Sequence, residues 1–90
     1  MIDQIQNEYL PDVVTPPGAT LQDTLDTIGM TQAELAERIG KTPKHIGDII
    51  KHGAPITPAT AMELEKALGT PASFWNNRER RYRKTISRLS

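Results

Sequence analysis

The chain has 90 residues, no cysteine, and 11 basic and 11 acidic side chains, so its formal net charge is zero. A chain of this length makes one small domain that buries only about 60% of its unfolded surface, and a partner is therefore expected. Disulfides and thiolate metal sites are excluded, no apolar run approaches the roughly 20 residues of a membrane span, and the first residues do not resemble a signal peptide. We therefore predict a cytoplasmic protein.

Charge is distributed unevenly along the chain. Before Arg38 there are seven carboxylates and no Lys or Arg, whereas from Arg38 onward eleven cationic side chains accompany four carboxylates. The basic second half suits a polyanion, and the acidic first half suits either solvent or a basic protein partner.

Residues 1–17 are predicted to form a poorly ordered acidic arm, because their apolar residues show no sustained period and prolines interrupt them. Residues 18–90 are predicted to form the folded domain, with a C-terminal helix extension. Its first helix is expected to follow Gly18, which ends the arm, and to stop at Gly29. Apolar residues recur there at helical spacing, at Leu21, Leu25 and Ile28, with Gln22, Asp23 and Asp26 facing water.

Residues 31–53 are predicted to form two helices joined by a sharp turn at a glycine. Thr31, with Glu34 three residues later, makes a capping box in which the hydroxyl and the carboxylate each accept a hydrogen bond from a backbone N–H. Thr42 followed by Pro43 begins the second helix, since threonine caps a helix and proline is pre-set for its first position. A connection this short indicates a helix-turn-helix.

The spacing within this stretch resembles that of Cro/CI-type (XRE-like) helix-turn-helix DNA-binding domains. Gln32, Ala36, Gly40 and Ile46 occupy relative positions 1, 5, 9 and 15 of the motif. The resemblance covers residues 16–82 and is strongest to the HigA-type antitoxins of toxin–antitoxin modules, through an early Pro-Pro-Gly and a late Phe-Trp-x-Asn signature. It implies an all-α, five-helix, lambda-repressor-like fold that dimerises through its C-terminal region.

Two further helices are predicted after the motif. Thr57-Pro58 repeats the cap-then-proline pattern, and Gly69 ends the helix that it begins. Thr70-Pro71 repeats the pattern again, so the last helix is predicted to run from Pro71 into the tail. The buried stripe of the first of these helices comprises Ala61, Leu64, Ala67 and Leu68.

The last helix carries an apolar stripe with no obvious partner within the chain. Two interpretations remain open for Trp75, which either completes the core of the monomer or belongs to a two-fold dimer interface. The resemblance favours dimerisation, and the predicted interface comprises Phe74, Trp75, Tyr82 and Ile86. The basic residues of the tail are either a solvated helix end or a supplementary phosphate-binding or RNA-binding surface; they are Arg78, Arg80, Arg81, Arg83, Lys84 and Arg88.

The second motif helix is predicted to enter the DNA major groove with its first turn. Lys44 is the first candidate for a base contact, because an ammonium can donate to guanine O6 and N7, whereas Lys41 and Thr42 are better placed for phosphate. The resemblance implies that Gln32 clamps a phosphate. The predicted DNA-binding residues are Gln32, Lys41, Thr42, Pro43, Lys44, His45, Gly47, Asp48 and Lys51.

Asp48 and Gly47 depart from the usual pattern of a recognition helix. A carboxylate near the groove repels phosphate unless it accepts from a cytosine amino group or is neutralised by Lys44 or Lys51. Gly47 costs about 1 kcal/mol relative to alanine in a helix. It is either tolerated there or lets the helix approach a base or the backbone closely.

No metal site, cofactor or enzymatic activity is predicted. His45, Asp48 and His52 share one helix face, but adjacent turns bring only pairs of ligands together well, and the face is needed for DNA. The chain has no HExxH pair, no phosphate-binding glycine loop and no nucleophile in a catalytic setting.

The predicted function is that of a DNA-binding antitoxin and transcriptional autorepressor, acting as a homodimer on a palindromic operator. The resemblance alone implies that it also neutralises a basic, RelE-like ribonuclease toxin. A first alternative is the DNA-binding N-terminal part of a regulator linked to an ImmA/IrrE-type metallopeptidase, or a phage-like repressor without a toxin. A second alternative is an RNA-binding or protein-binding helical module.

Overall fold

The structure is a computed structural model that describes residues 15–89. Within that range the chain forms five α-helices and no strand, which confirms the predicted fold class. The helices are α1 (Pro17–Ile28), α2 (Gln32–Ile39), α3 (Pro43–His52), α4 (Pro58–Leu68) and α5 (Ala72–Leu89). The predicted arm lies outside the described residues except for its last three. No helix in the described part of the chain is long and apolar enough to cross a bilayer.

Threonine caps begin three of the helices, as predicted. At α2, the Thr31 hydroxyl accepts from the Glu34 backbone N–H at 3.0 Å, and the Glu34 carboxylate accepts from the Thr31 backbone N–H at 2.8 Å. That second bond holds the pKa of the Glu34 carboxyl below its ordinary value. Thr42 caps α3 and Thr57 caps α4, each with proline at the following position.

The prediction that Thr70-Pro71 begins the last helix in the same way is wrong. The helix α5 begins at Ala72, one residue later, and the Ala72 backbone N–H donates to the Glu65 carboxylate at 2.9 Å. A side chain of α4 therefore provides a hydrogen-bond acceptor at the start of α5. This bond also links α4 to α5, which are consecutive in the chain and pack against each other.

The first helix begins slightly earlier than predicted and depends on Gly18. Pro17 is its first residue, so Gly18 is already helical and buried rather than at the end of the arm. A Cβ added at Gly18 would lie 2.1 Å from the carbonyl oxygen of Ile49 and 2.8 Å from the Cα of Ile50. The start of α1 and the second half of α3 therefore touch backbone to backbone, and only glycine fits between them.

The core is formed by apolar side chains from all five helices and from the loop after α3. Ile46 and Ile49 lie on the inner side of α3, with 0% and 1% of their surface exposed. Trp75 is also 0% exposed and packs edge-on against Phe74 with ring centroids 5.0 Å apart. The other fully buried large side chains are Leu21, Leu25, Leu35, Ile56 and Leu64.

The burial of Trp75 changes the predicted dimer interface. Of the two interpretations of this residue, the structure places Trp75 in the core of a single chain. A side chain without exposed surface has none to bury against a second copy, so Trp75 is removed from the predicted interface. Phe74, Tyr82 and Ile86 are half-buried in the single chain, and their place in an interface stays a prediction.

Candidate nucleic-acid interface

The outer side of α3 is polar and accessible, and the inner side of the helix packs against the core. The helix is amphipathic because its isoleucines recur at helical spacing on one side, while lysine, histidine and aspartate occupy the other. On the accessible side Thr42, Pro43, Lys44, His45 and Lys51 are exposed, and Gly47 and Asp48 are half-buried. The turn before it uses Gly40 at a φ of 70°, a left-handed conformation that glycine adopts without penalty.

Asp48 is neutralised by one of the two expected partners. The Lys44 ammonium lies 3.2 Å from the Asp48 carboxylate, one helical turn away, and 85% of the Lys44 side chain remains exposed. An exposed ion pair of this spacing contributes only about 0.3–0.5 kcal/mol. The pair therefore orders Lys44 without preventing its ammonium from turning to a base or a phosphate.

Gln32 lies beside α3, although it belongs to α2. It is the first residue of α2, at the end of the helix where backbone N–H groups and the helix dipole favour an anion. An added Cβ at Gly47 would come within 3.9 Å of the Gln32 side-chain oxygen and would meet nothing else within 4 Å. Gln32 and Gly47 are therefore neighbours on one surface, and the packing of the protein does not itself require glycine at position 47.

Lys41 is directed differently from the other predicted contacts. Its ammonium lies 3.8 Å from a carboxylate oxygen of Glu63 on α4, and both side chains are about one-third exposed. That carboxylate oxygen is buried and accepts no hydrogen bond, so the Lys41 ammonium is its main electrostatic partner. This ion pair directs the Lys41 ammonium toward α4, which makes Lys41 the least prepared of the predicted phosphate contacts.

A polar clasp that the sequence does not predict joins α5 to the end of α3. We define the Glu79–Arg83 clasp by these two residues of α5. The Arg83 guanidinium donates to the Glu79 carboxylate at 2.5 Å and to the Gly53 carbonyl at 2.6 Å, while Glu79 accepts from the Ile56 backbone N–H at 3.0 Å. The clasp satisfies backbone groups of the loop after α3, and Arg83 is therefore not part of a merely solvated tail.

The spacing of Glu79 and Arg83, four residues apart, is visible in the sequence and suggests a helical ion pair. Their bonds to backbone groups 23 and 30 residues away leave no sequence signal. Other tail cations also have intrachain partners, since Arg78 lies over the Phe74 ring at 5.3 Å. Arg80 donates to the Asn77 side chain at 2.8 Å.

Among the described residues, no group of three or more His, Cys, Asp or Glu side chains is placed to hold a metal ion. An open groove of about 360 Å³ lies between α2 and α4. It is lined by Arg38, Ile39, Glu63, Lys66 and Ala67, none of which belongs to α3.

Two capped helices joined at a left-handed glycine, the second with a buried apolar side and an accessible polar side, define a helix-turn-helix domain. A family model described as Helix-turn-helix matches residues 23–75, more than half of the chain. The chain belongs to that family, and its type is XRE-like, as the sequence predicted. Comparison with curated protein sequences finds no significant match.

Solved structures of similar proteins extend the comparison beyond the motif. An addiction-module antidote protein of the HigA family from Coxiella burnetii has a TM-score of 0.77 and 27% identity, with 82% of each chain covered. The antitoxin HigA of Pseudomonas aeruginosa, solved with the higBA promoter, has a TM-score of 0.77 and 25% identity over 82% of each chain. A further Pseudomonas aeruginosa protein, solved with an 18-base-pair operator DNA, has a TM-score of 0.75 and 26% identity. It covers 82% of this chain and 83% of that chain.

Proposed function

We propose that this protein is a sequence-specific DNA-binding antitoxin and transcriptional autorepressor of the HigA type. The observation that carries the proposal is the accessible polar side of α3, anchored by buried isoleucines, on a fold shared with an antitoxin solved with promoter DNA. In this assignment the first turn of α3 lies in the major groove. Lys44 reads a base edge, while Gln32 and Thr42 contact the phosphates that flank it.

The proposal includes a homodimer on a palindromic operator. Helix-turn-helix dimers bind two half-sites about one helical turn of DNA apart, so a symmetric operator matches a symmetric protein. The contact between copies is assigned to α5, where Phe74, Tyr82 and Ile86 remain partly exposed in the single chain. Analytical ultracentrifugation tests this assignment, because Tyr82→Arg should shift a wild-type dimer to monomer without loss of helical content. A variant that stays dimeric contradicts it.

Binding to DNA is tested with the region upstream of the protein's own gene and a shuffled duplex of equal length. We expect the upstream region to be preferred by a factor of about 10³ or more. Both affinities should fall steeply between 50 and 200 mM salt, because each neutralised phosphate releases counterions. Equal binding to the two duplexes at every salt concentration contradicts a sequence-specific repressor.

Lys44→Ala tests the assignment of the base contact, with Lys66→Ala as the matched control. Lys66 is an exposed lysine on α4 beside the groove between α2 and α4. Loss of one base contact costs about 1–3 kcal/mol, roughly a 5- to 150-fold weaker affinity, and should relax the preference at one base position. A loss that is equal on all DNA assigns Lys44 to a phosphate instead.

The toxin partner is part of the same proposal and rests on the likeness to antidote proteins of addiction modules. A gene for a small basic ribonuclease is expected beside the gene for this protein. Expression of that neighbour alone should stop growth, and coexpression of this protein should restore it. Growth that is unaffected by the neighbour contradicts the antitoxin assignment while leaving repression intact.

A further inference from the structure

Three polar side chains form a hydrogen-bonded chain from α1 to the first residue of α2. The Gln32 amide donates to the Gln22 side-chain oxygen at 2.8 Å. The Gln22 amide in turn donates to the Asp26 carboxylate at 2.7 Å. The helical period predicts that Gln22 faces water, but in the structure it is half-buried and bonded to Gln32.

This arrangement determines the orientation of the Gln32 amide. A glutamine amide has an acceptor oxygen and an NH₂ group with two donor hydrogens. Gln22 presents its oxygen to Gln32, because Asp26 accepts only from the NH₂ end of Gln22. The NH₂ end of Gln32 is therefore directed to Gln22. One of its hydrogens is used there, and the other is left for an external acceptor.

The position of the amide makes an anion the fitting acceptor. Gln32 begins α2, so the positive end of the helix dipole lies at its backbone. On its other side the Gln32 oxygen adjoins Gly47 of α3. A phosphate of the DNA strand beside α3 is a negatively charged acceptor in that position, and amides contact such phosphates frequently.

We propose that Gln22 is a positioning residue for DNA binding, which holds the Gln32 amide so that its second N–H meets a backbone phosphate. This inference rests on the proposed function. In this role Gln22 touches no base and does not contribute to the preference for a DNA sequence. Its effect is to remove, before binding, the rotational freedom that a long amide side chain otherwise loses when it is immobilised on DNA.

The proposal predicts a specific pattern in a double-mutant cycle. Gln22→Ala should weaken binding about three- to tenfold, equally on operator and shuffled DNA, because a phosphate contact is independent of sequence. Gln32→Ala should weaken it at least as much, and the double variant should be no weaker than Gln32→Ala alone. Gln22→Met, which keeps the length of the side chain but lacks its acceptor oxygen, should behave as Gln22→Ala.

Thr27→Ala serves as the matched control, since Thr27 is on α1 and its hydroxyl bonds only to a carbonyl of the same helix. The control should bind DNA as the wild type does, and thermal unfolding should show all variants fully folded at the binding temperature. If the effects of Gln22 and Gln32 multiply, or if Gln32→Ala has no effect, the positioning role is refuted while DNA binding by the wild type stands. If the wild type itself does not bind DNA, the proposed function fails as well.

Discussion

Gly47→Ala separates the needs of the fold from the needs of the DNA-bound state. Gly47 lies in the middle of α3 with an ordinary helical φ, and an added Cβ would meet only the Gln32 side-chain oxygen, at 3.9 Å. The folded chain therefore accommodates the methyl group without rearrangement. Alanine is favoured over glycine in a helix by about 0.5–1 kcal/mol. In a domain of this size, that gain raises the melting temperature by roughly 2–8 °C.

The expected effect of the same methyl group on DNA binding has the opposite sign. If α3 approaches a base or the DNA backbone at Gly47, the methyl group overfills the contact, at a cost of about 1–3 kcal/mol. The corresponding loss of affinity is roughly 5- to 150-fold. Circular dichroism melting and fluorescence anisotropy on the same protein preparation measure both effects. A higher melting temperature with unchanged affinity would refute close approach at this turn, and a lower melting temperature would refute the packing argument.

Three further predictions concern packing and charge. Gly18→Ala should destabilise the domain by about 1–3 kcal/mol or more in urea unfolding, because the added Cβ meets the backbone of α3 and no side chain can move aside. Arg83→Met should cost about 1–3 kcal/mol in the same assay, since it leaves a carbonyl at the end of α3 without its donor and deprives the half-buried Glu79 carboxylate of its charged partner. Glu34→Gln should flatten the acid limb of the stability profile. The depressed pKa of Glu34 stabilises the fold above its unfolded pKa of about 4.3, and this contribution is lost as the pH falls further.

Each of these predictions has its own control. An unchanged urea midpoint for Gly18→Ala would show that α1 can move away from α3, with Ala19→Gly on the same helix as the reference substitution. Lys84→Met changes the exposed residue next to Arg83 and should leave the free energy of unfolding unchanged. If Lys84→Met and Arg83→Met lower it equally, the Glu79–Arg83 clasp does not stabilise the fold. Glu34→Gln keeps an acceptor for the cap. If the variant and the wild type lose stability identically as the pH falls, Glu34 does not contribute to the pH dependence of stability.

The parts of the fold that depend on near neighbours in sequence were predictable. A threonine cap, a proline at the first helical position and a glycine at the C-cap act within one helical turn, so Thr31, Thr42 and Thr57 mark helix starts correctly. The same pattern failed at Thr70-Pro71, because a glutamate on the preceding helix accepts from the first backbone N–H. Local spacing cannot detect an acceptor that only the packing of two helices delivers.

The same distinction between near and distant residues in the sequence applies to the candidate site. The accessible face of α3 follows from the helical period of Ile46 and Ile49, and the ion pair of Lys44 with Asp48 was one of the expected outcomes. The contact of Gln32 with α1 and the clasp between α5 and the end of α3 join residues that are 10 to 30 positions apart. No periodic or motif signal encodes those distances, and the orientation of the contacting side chains depends on them.

The most direct test of DNA reading by α3 is to follow the backbone amide resonances of the protein by NMR while operator DNA is added. We expect the largest shifts at the accessible residues of α3 from Thr42 to Lys51 and at Gln32, with small shifts in α4. In Lys44→Ala the shifts should persist but saturate at higher DNA concentration. Shifts concentrated on α5 or on the groove between α2 and α4, with α3 unperturbed, would contradict a DNA-reading role for α3.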